Sequence, residues 1–225
     1  MVQSIGESLR FVETLTGNPI PEINRVEFFT SHEGLHLLYE QAQTRAVPRR
    51  EGYYDLSTHF PWIGERTRAL GGAHVEFFRG LANPVAVKIG PTITPDELVA
   101  LAGVLNPRNE PGRLTLIHRF GAAQVEQCLP PLVAAIRRKQ QQVLWCCDPM
   151  HGNTETTRDG IKTRRFANIL GELEASFHIL RKCGAHLGGV HFELTGENVT
   201  ECVGGASGVT EADLARDYRS QLDPR

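Results

Sequence analysis

The feature that most restricts the fold is an alternation of short apolar runs with stretches of helical spacing. Pro84 to Gly90 (PVAVKIG) alternates apolar residues around Lys88. Arg113 to Arg119 (RLTLIHR) and Gln142 to Asp148 (QVLWCCD) read as buried strands. Gly188 to Leu194 (GGVHFEL) is a further strand opened by a glycine pair, and Arg25 to Ser31 and Tyr53 to Thr58 also have strand character. Between them, Pro95 to Leu105 reads as a helix capped by Thr94, with Glu97 in its first turn. Gln124 to Lys139 has helical spacing, and Pro130 and Pro131 are expected to kink or split it. Arg164 to Cys183 carries another apolar stripe and stops at Gly184. Such alternation calls for a parallel sheet or a barrel. A (β/α)8 barrel usually takes ~250 residues. With about six strands, the chain is expected to form most of a TIM barrel, as one catalytic domain over 1–225.

Composition narrows the function classes. Over 225 residues the formal net charge is −2, so neither a polybasic nucleic-acid surface nor an acidic tail is expected. No apolar run approaches the ~20 residues of a membrane span. The first residues lack a basic region followed by an apolar core, so no signal peptide is expected. Five cysteines without a CxxC pair fit reduced thiols in a cytoplasmic protein better than a disulfide framework or a zinc knuckle.

Charged residues gather at the C-terminal ends of the expected strands: Lys88 in PVAVKIGP, Arg119 ending RLTLIHR, His151 just after QVLWCCDPM, and Glu193 ending GGVHFEL. In barrels that rim is where βα loops converge on the active site. His151, Glu193 and Asp223 offer imidazole and carboxylate donors of the kind that bind a divalent first-row ion. Taken singly, His151 reads more readily as a loop hydrogen-bonder, Glu193 as a partner of neighbouring backbone and Asp223 as a turn residue. Arg66, Lys88 and Arg119 together suit a phosphate and a carboxylate, Arg through its fork and Lys as a point charge. The plainer reading is a set of solvated or salt-bridged side chains. Lys162 and Arg164 in GIKTR form a second basic segment, either a phosphate contact or an ordinary helix start.

The strings SHEGLHLLYEQAQTR, WIGERTR, GAHVEFFRGLANPVAVKIGP, NPRNEPGRLTLIHRFG, CDPMHGNT, GIKTR, GGVHFELTGENVTECVGG and the terminal DPR occur in that order from about Glu22 to Arg225. In these blocks the chain resembles the C-terminal part of the class II 3-deoxy-D-arabino-heptulosonate 7-phosphate (DAHP) synthases. The resemblance implies a (β/α)8 barrel that condenses phosphoenolpyruvate with erythrose 4-phosphate, opening the shikimate pathway to the aromatic amino acids. It implies a divalent metal on His151, Glu193 and Asp223, with manganese, cobalt and zinc all compatible. It places phosphoenolpyruvate contacts on Glu65, Arg66, Lys88 and Arg119, and an erythrose 4-phosphate contact on Lys162. Lys88, Arg119, His151 and Glu193 are the expected catalytic group, and a homo-oligomer is the expected assembly.

The chain also departs from the family pattern. A GGDCAE-type segment carrying a fourth, cysteine metal ligand is absent, as are a further arginine for phosphoenolpyruvate and the final helix. Cys146 and Cys147 lie deeper in their strand, facing opposite sides, and are not expected to replace that ligand. His118 and Phe120 flank Arg119 where a small or apolar residue and Met are expected. Three readings of the missing portion follow: a fragment of a full enzyme, one half of a split enzyme needing a partner chain, or a non-catalytic relative. The rim charges alone also fit a barrel metallohydrolase.

Overall fold

The computed structural model describes residues 28–194, 199–206 and 208–216. The unit that begins at Ser31 is built on one parallel sheet of six strands: β1 (Ser31–Glu33), β4 (Phe60–Ile63), β5 (Val85–Ile89), β6 (Leu114–His118), β7 (Leu144–Cys147) and β10 (Leu187–Val190). Their spatial order is their order along the chain, and every pairing is parallel. Sequential parallel strands need crossovers that all return on the same side. Helices α2 (Ala73–Arg79), α3 (Pro95–Leu105), α4 (Val125–Arg138) and α5 (Phe166–Lys182) supply four of them. This order is consistent with a barrel-like fold and differs from that of a doubly wound sheet.

The strand alternation shows which face is which. Val85, Val87 and Ile89 of β5, Leu114 and Leu116 of β6 and Trp145 of β7 pack against Val75, Phe78, Leu98, Leu101, Leu129, Leu132, Val133 and Leu180 of the helices. The opposite face carries a small cluster of Ala86, Ile117 and Cys146, joined by Phe60 and Trp62. Lys88 shares a side with Ala86, because residues two apart on a strand face the same way. Helix α3 starts where the sequence indicates: the Thr94 hydroxyl accepts from Glu97 N, and the Glu97 carboxylate accepts from Thr94 N.

Several expectations change. Tyr53–Asp55 is indeed a strand (β3), but it forms an antiparallel hairpin with β2 (Thr44–Ala46) outside the main sheet. Its place in the sheet goes to Phe60–Ile63, which is short and carries Pro61. The earliest expected strand, Arg25 to Ser31, lies partly outside the described residues; β1 itself runs Ser31–Glu33 and is followed by α1 (Leu37–Gln43). Helix α4 is unbroken despite Pro130 and Pro131. The prolines remove the partners of the Glu126 and Gln127 carbonyls, and both residues are exposed, so water can take over. Lys162 lies neither in a loop nor at a helix start. It opens β9 (Lys162–Arg165), which pairs with β8 (Thr154–Thr156) and β11 (Cys202–Val203), and the helix begins only at Phe166. No described helix is long and apolar enough to cross a membrane.

Candidate active site

The C-terminal ends of β5, β6 and β7 converge on Asp148, a fully buried carboxylate directly after β7. The β7 strand is apolar, and Pro149 ends its pairing, so the chain turns at once and offers its amides back to this side chain. Asp148 Oδ1 accepts from the backbone N–H groups of Met150 and His151, at 3.0 and 3.1 Å. Oδ2 takes the ammonium of Lys88, which reaches across from β5. His151 Nδ1 lies 3.0 and 2.8 Å from the two carboxylate oxygens. Burial by itself would push Asp148 up. The His151 hydrogen bond and the Lys88 charge outweigh it and hold the group well below the usual carboxylate range. Burial pulls Lys88 below the ordinary lysine value, with Asp148 opposing.

Beyond the end of β4, Glu65 and Arg66 lie in a 3-10 turn (Glu65–Thr67). Glu65 packs against Gly90, where an added Cβ would lie 3.0 Å from its carboxylate, and it pairs with Arg68 Nη2 at 2.9 Å. Arg66 is exposed on the same turn. Arg119 follows β6 and donates from Nη2 to the carbonyl of His151 at 2.7 Å, while its buried Nε has no hydrogen-bond partner. Lys88 Nζ lies 5.9 Å from the Trp62 ring centre. His191 meets Trp62 edge-on at 5.0 Å, and burial, followed by the Lys88 charge, pushes it down to about 4, leaving a neutral imidazole.

His151 and Glu193 come together, with Nε2 and Oε2 3.9 Å apart. Glu193 lies three residues past β10, not at its end. Arg164 Nη2 is 2.7 Å from Glu193 Oε2, an ion pair whose geometry falls short of a hydrogen bond, so Oε2 keeps an acceptor lone pair. Arg164 Nε donates to the Met150 carbonyl at 2.9 Å, tying β9 to the His151 loop. Lys162, two residues earlier, shares the face of β9 that carries Arg164. Asp223 lies outside the described residues. Among those described, no three His, Cys, Asp or Glu side chains converge as a metal site. The donor chemistry still fits an ion: Asp148 occupies Nδ1 of His151, which leaves Nε2 as the ligand nitrogen facing a carboxylate. Cys146 faces the inner side and burial pushes its thiol up to about 11, away from the thiolate that ligation needs; Cys147 points outward, its thiol toward Ser176 Oγ.

Two buried carboxylates next to these residues, Asp148 and Glu172, are not among the candidates read from the sequence. The buried positions of α5 are Ile169, Glu172, Ser176 and Leu180, so Glu172 falls on the apolar stripe. A cavity of about 410 Å³ opens at the other end of the sheet, lined partly by Tyr54, Arg79, Arg108 and Arg113. Its arginines are committed to Glu76, Glu110 and backbone carbonyls.

A family model for the class-II DAHP synthetase family matches residues 1–225. Phospho-2-dehydro-3-deoxyheptonate aldolase of Neurospora crassa is 45% identical over 240 residues, an alignment that covers 100% of this chain and 50% of the relative. Phospho-2-dehydro-3-deoxyheptonate aldolase AroG of Mycolicibacterium smegmatis is 48% identical over 208 residues, covering 90% of this chain and 45% of the relative. The chain therefore spans about half the length of these curated relatives. With a family match along its whole length, and with two of its rim charges, Lys88 and His151, held on one buried carboxylate, the chain belongs to the class-II DAHP synthetase family.

Proposed function

We propose that the chain carries the strand-end portion of a DAHP synthase active site, in which phosphoenolpyruvate condenses with erythrose 4-phosphate. The single observation that carries this reading is Asp148, which holds the cationic Lys88 and the metal-type donor His151 on one carboxylate. An anion site and a cation site are thereby adjacent, as a reaction between an enol phosphate and an aldehyde requires. The six strands are read as part of a (β/α)8 barrel, one catalytic domain over 1–225, in a cytoplasmic homo-oligomer; the further strands come from the rest of the protein or from a partner chain.

In this reading Arg66, Lys88 and Arg119 hold the phosphate and carboxylate of phosphoenolpyruvate. Arg119 is supported by its partnerless Nε, and Lys88 by its fixed place beside Trp62. His151 Nε2, Glu193 and Asp223 hold one divalent ion, manganese, cobalt or zinc. Bound there, it supplies Lewis-acid polarisation of the aldehyde oxygen. Lys162 receives the erythrose 4-phosphate phosphate, on the face it shares with Arg164. The terminal methylene carbon of phosphoenolpyruvate forms the new C–C bond to the aldehyde carbon, whose oxygen takes up a proton to become a hydroxyl. Water then adds at the phosphate-bearing carbon with loss of a proton, and inorganic phosphate leaves as the keto group forms. Glu65, wedged between Gly90 and Arg68, orients that water. The cations of the site stabilise the charge that develops in both steps.

Arg66→Ala tests the assignment in the complete enzyme. The expected result is a sharply raised phosphoenolpyruvate requirement for phosphate release, with the melting temperature unchanged. An unaltered response to phosphoenolpyruvate removes Arg66 from the site. Metal-dependent phosphate release from erythrose 4-phosphate alone would point instead to a hydrolase.

A further inference from the structure

Glu172 is fully buried in the middle of α5, a helix that contributes no residue to the functional reading above. Its Oε1 accepts from the backbone N–H groups of Phe120 and Gly121, at 2.8 and 2.9 Å. Its Oε2 accepts from Asn153 Nδ2 at 2.7 Å. Phe120 and Gly121 immediately follow Arg119, and Asn153 comes two residues after His151. Asn153 returns the connection: its Oδ1 accepts from Ala122 N at 2.9 Å, and its Nδ2 also donates to the Pro149 carbonyl at 2.9 Å. The two loops touch backbone to backbone below these bonds. An added Cβ on Gly121 would lie 2.6 Å from Gly152 O, and one on Gly152 would lie 2.3 Å from Gly121 N. On the far side Arg119 donates to the His151 carbonyl.

We propose that Glu172 is a positioning residue: by binding the amides after Arg119 and the Asn153 amide after His151, it sets the distance between the anion-binding and metal-binding halves of the site. This rests on the functional reading above. The geometry separates this role from that of an ordinary core latch, because Glu172 holds the two loops that carry opposite halves of the chemistry. A latch would stabilise the fold wherever the loops settled. A positioning residue makes affinity depend on where they settle.

The test exchanges donor and acceptor between partners in the full chain. Glu172→Gln sets an amide donor against the Asn153 donor, and Asn153→Asp sets two carboxylates against each other. The double substitution restores one donor facing one acceptor at the contact between 172 and 153, with the Phe120 and Gly121 amides still bound to the side-chain oxygen at position 172, while the Pro149 carbonyl loses its Asn153 donor in both variants that carry Asn153→Asp. Each single variant should weaken Mn2+ and phosphoenolpyruvate binding, measured by titration calorimetry, by about tenfold or more. The double variant should regain most of both. Single variants that melt lower yet bind both ligands as the parent does would reduce Glu172 to a core latch, and a double variant no better than the singles overturns the pairing. If the single variants do not fold, hydrogen exchange of the parent decides: the Phe120 and Gly121 amides should exchange more slowly once both ligands are bound. Unchanged exchange overturns the proposal. If the parent binds neither ligand, the functional reading itself fails, and the positioning role with it.

Discussion

The two ends of the parallel sheet use polar side chains in opposite ways. At the N-terminal ends of the strands they are turned onto the chain's own backbone. Arg113 donates to the carbonyls of Leu105, Asn83 and Phe78. Asn83 exchanges two hydrogen bonds with the backbone of Asp55, and Asn106 joins Glu110 to Gln142. At the C-terminal ends the same kinds of group face one another around a concavity: Lys88 and His151 on Asp148, Arg164 on Glu193, Arg68 on Glu65. Of the seven buried polar atoms without a hydrogen-bond partner among the described residues, five lie at this second end, on Glu65, Arg68, His118, Arg119 and Glu193. Buried polar groups are normally satisfied. An end that leaves several of them open has polar capacity to offer a ligand, in keeping with the proposed site, whereas most polar groups of the opposite end are spent on the fold.

If that contrast is real, substitutions at the two ends should fail in different ways. The largest effect is expected from Arg119→Met, which should lower kcat/KM for phosphoenolpyruvate by about 10²–10³ while the melting temperature moves little. A collapse of stability with affinity retained would break the contrast. Arg113→Met should do the reverse. Three backbone carbonyls lose a charged donor, so denaturant unfolding should show a loss of about 3 kcal/mol, with ligand affinity in the folded protein unchanged. A third measurement sharpens the contrast through pH. Burial raises Glu172 from 4.5 to about 7, outweighing the Phe120, Gly121 and Asn153 donors. A carboxyl raised on folding stabilises the native state most below its unfolded value, and that contribution is lost as pH rises to about 7. The stability of the parent minus that of Glu172→Gln should therefore fall between pH 4.5 and 7, by no more than on the order of 3 kcal/mol. A flat difference would mean that Glu172 is ionised throughout. The smallest effect belongs to the start of α3: Thr94→Ala should cost about 1 kcal/mol in thermal unfolding, with little change in ligand affinity.

His118 shows how burial can decide a group's behaviour against its ordinary chemistry. It is fully buried on the helix side of β6, with Nε2 3.0 Å from Ser176 Oγ, and burial pushes it down to about 3, with Asp148 opposing. It stays neutral next to Arg119, so its departure from the family pattern adds no charge to the site.

What could be read in the sequence followed from how much each element depends on itself. Strands β5, β6 and β7 are largely apolar runs sandwiched between a helix layer and the inner face, and their residues announce that burial. Phe60–Ile63 does not: four residues containing a proline gain their place from pairing with β1 and β5, which no local pattern encodes. Tyr53–Asp55 has better strand propensity and yet finds its partner in Thr44–Ala46. The rim charges were legible because a strand end followed by a charged residue is a local signal. Asp148, to which two of them are bound, was not, since its role exists only once β5 and β7 lie in one sheet. Glu172 was half legible, as a polar residue in phase with the buried stripe of α5. Glu193 was expected at a strand end, but β10 stops at Val190, and the Arg164 ion pair contacts it beyond the strand.

The contact between Gly121 and Gly152 has a consequence for how such a protein can change over generations. Gly121 has a φ of +84°, and neither position has room for a single methyl group. Every amino-acid replacement of glycine adds at least that much, so neither position has a harmless substitute. Inheritance can alter what the two loops carry, and thereby the chemistry, while the point where they cross stays closed to drift.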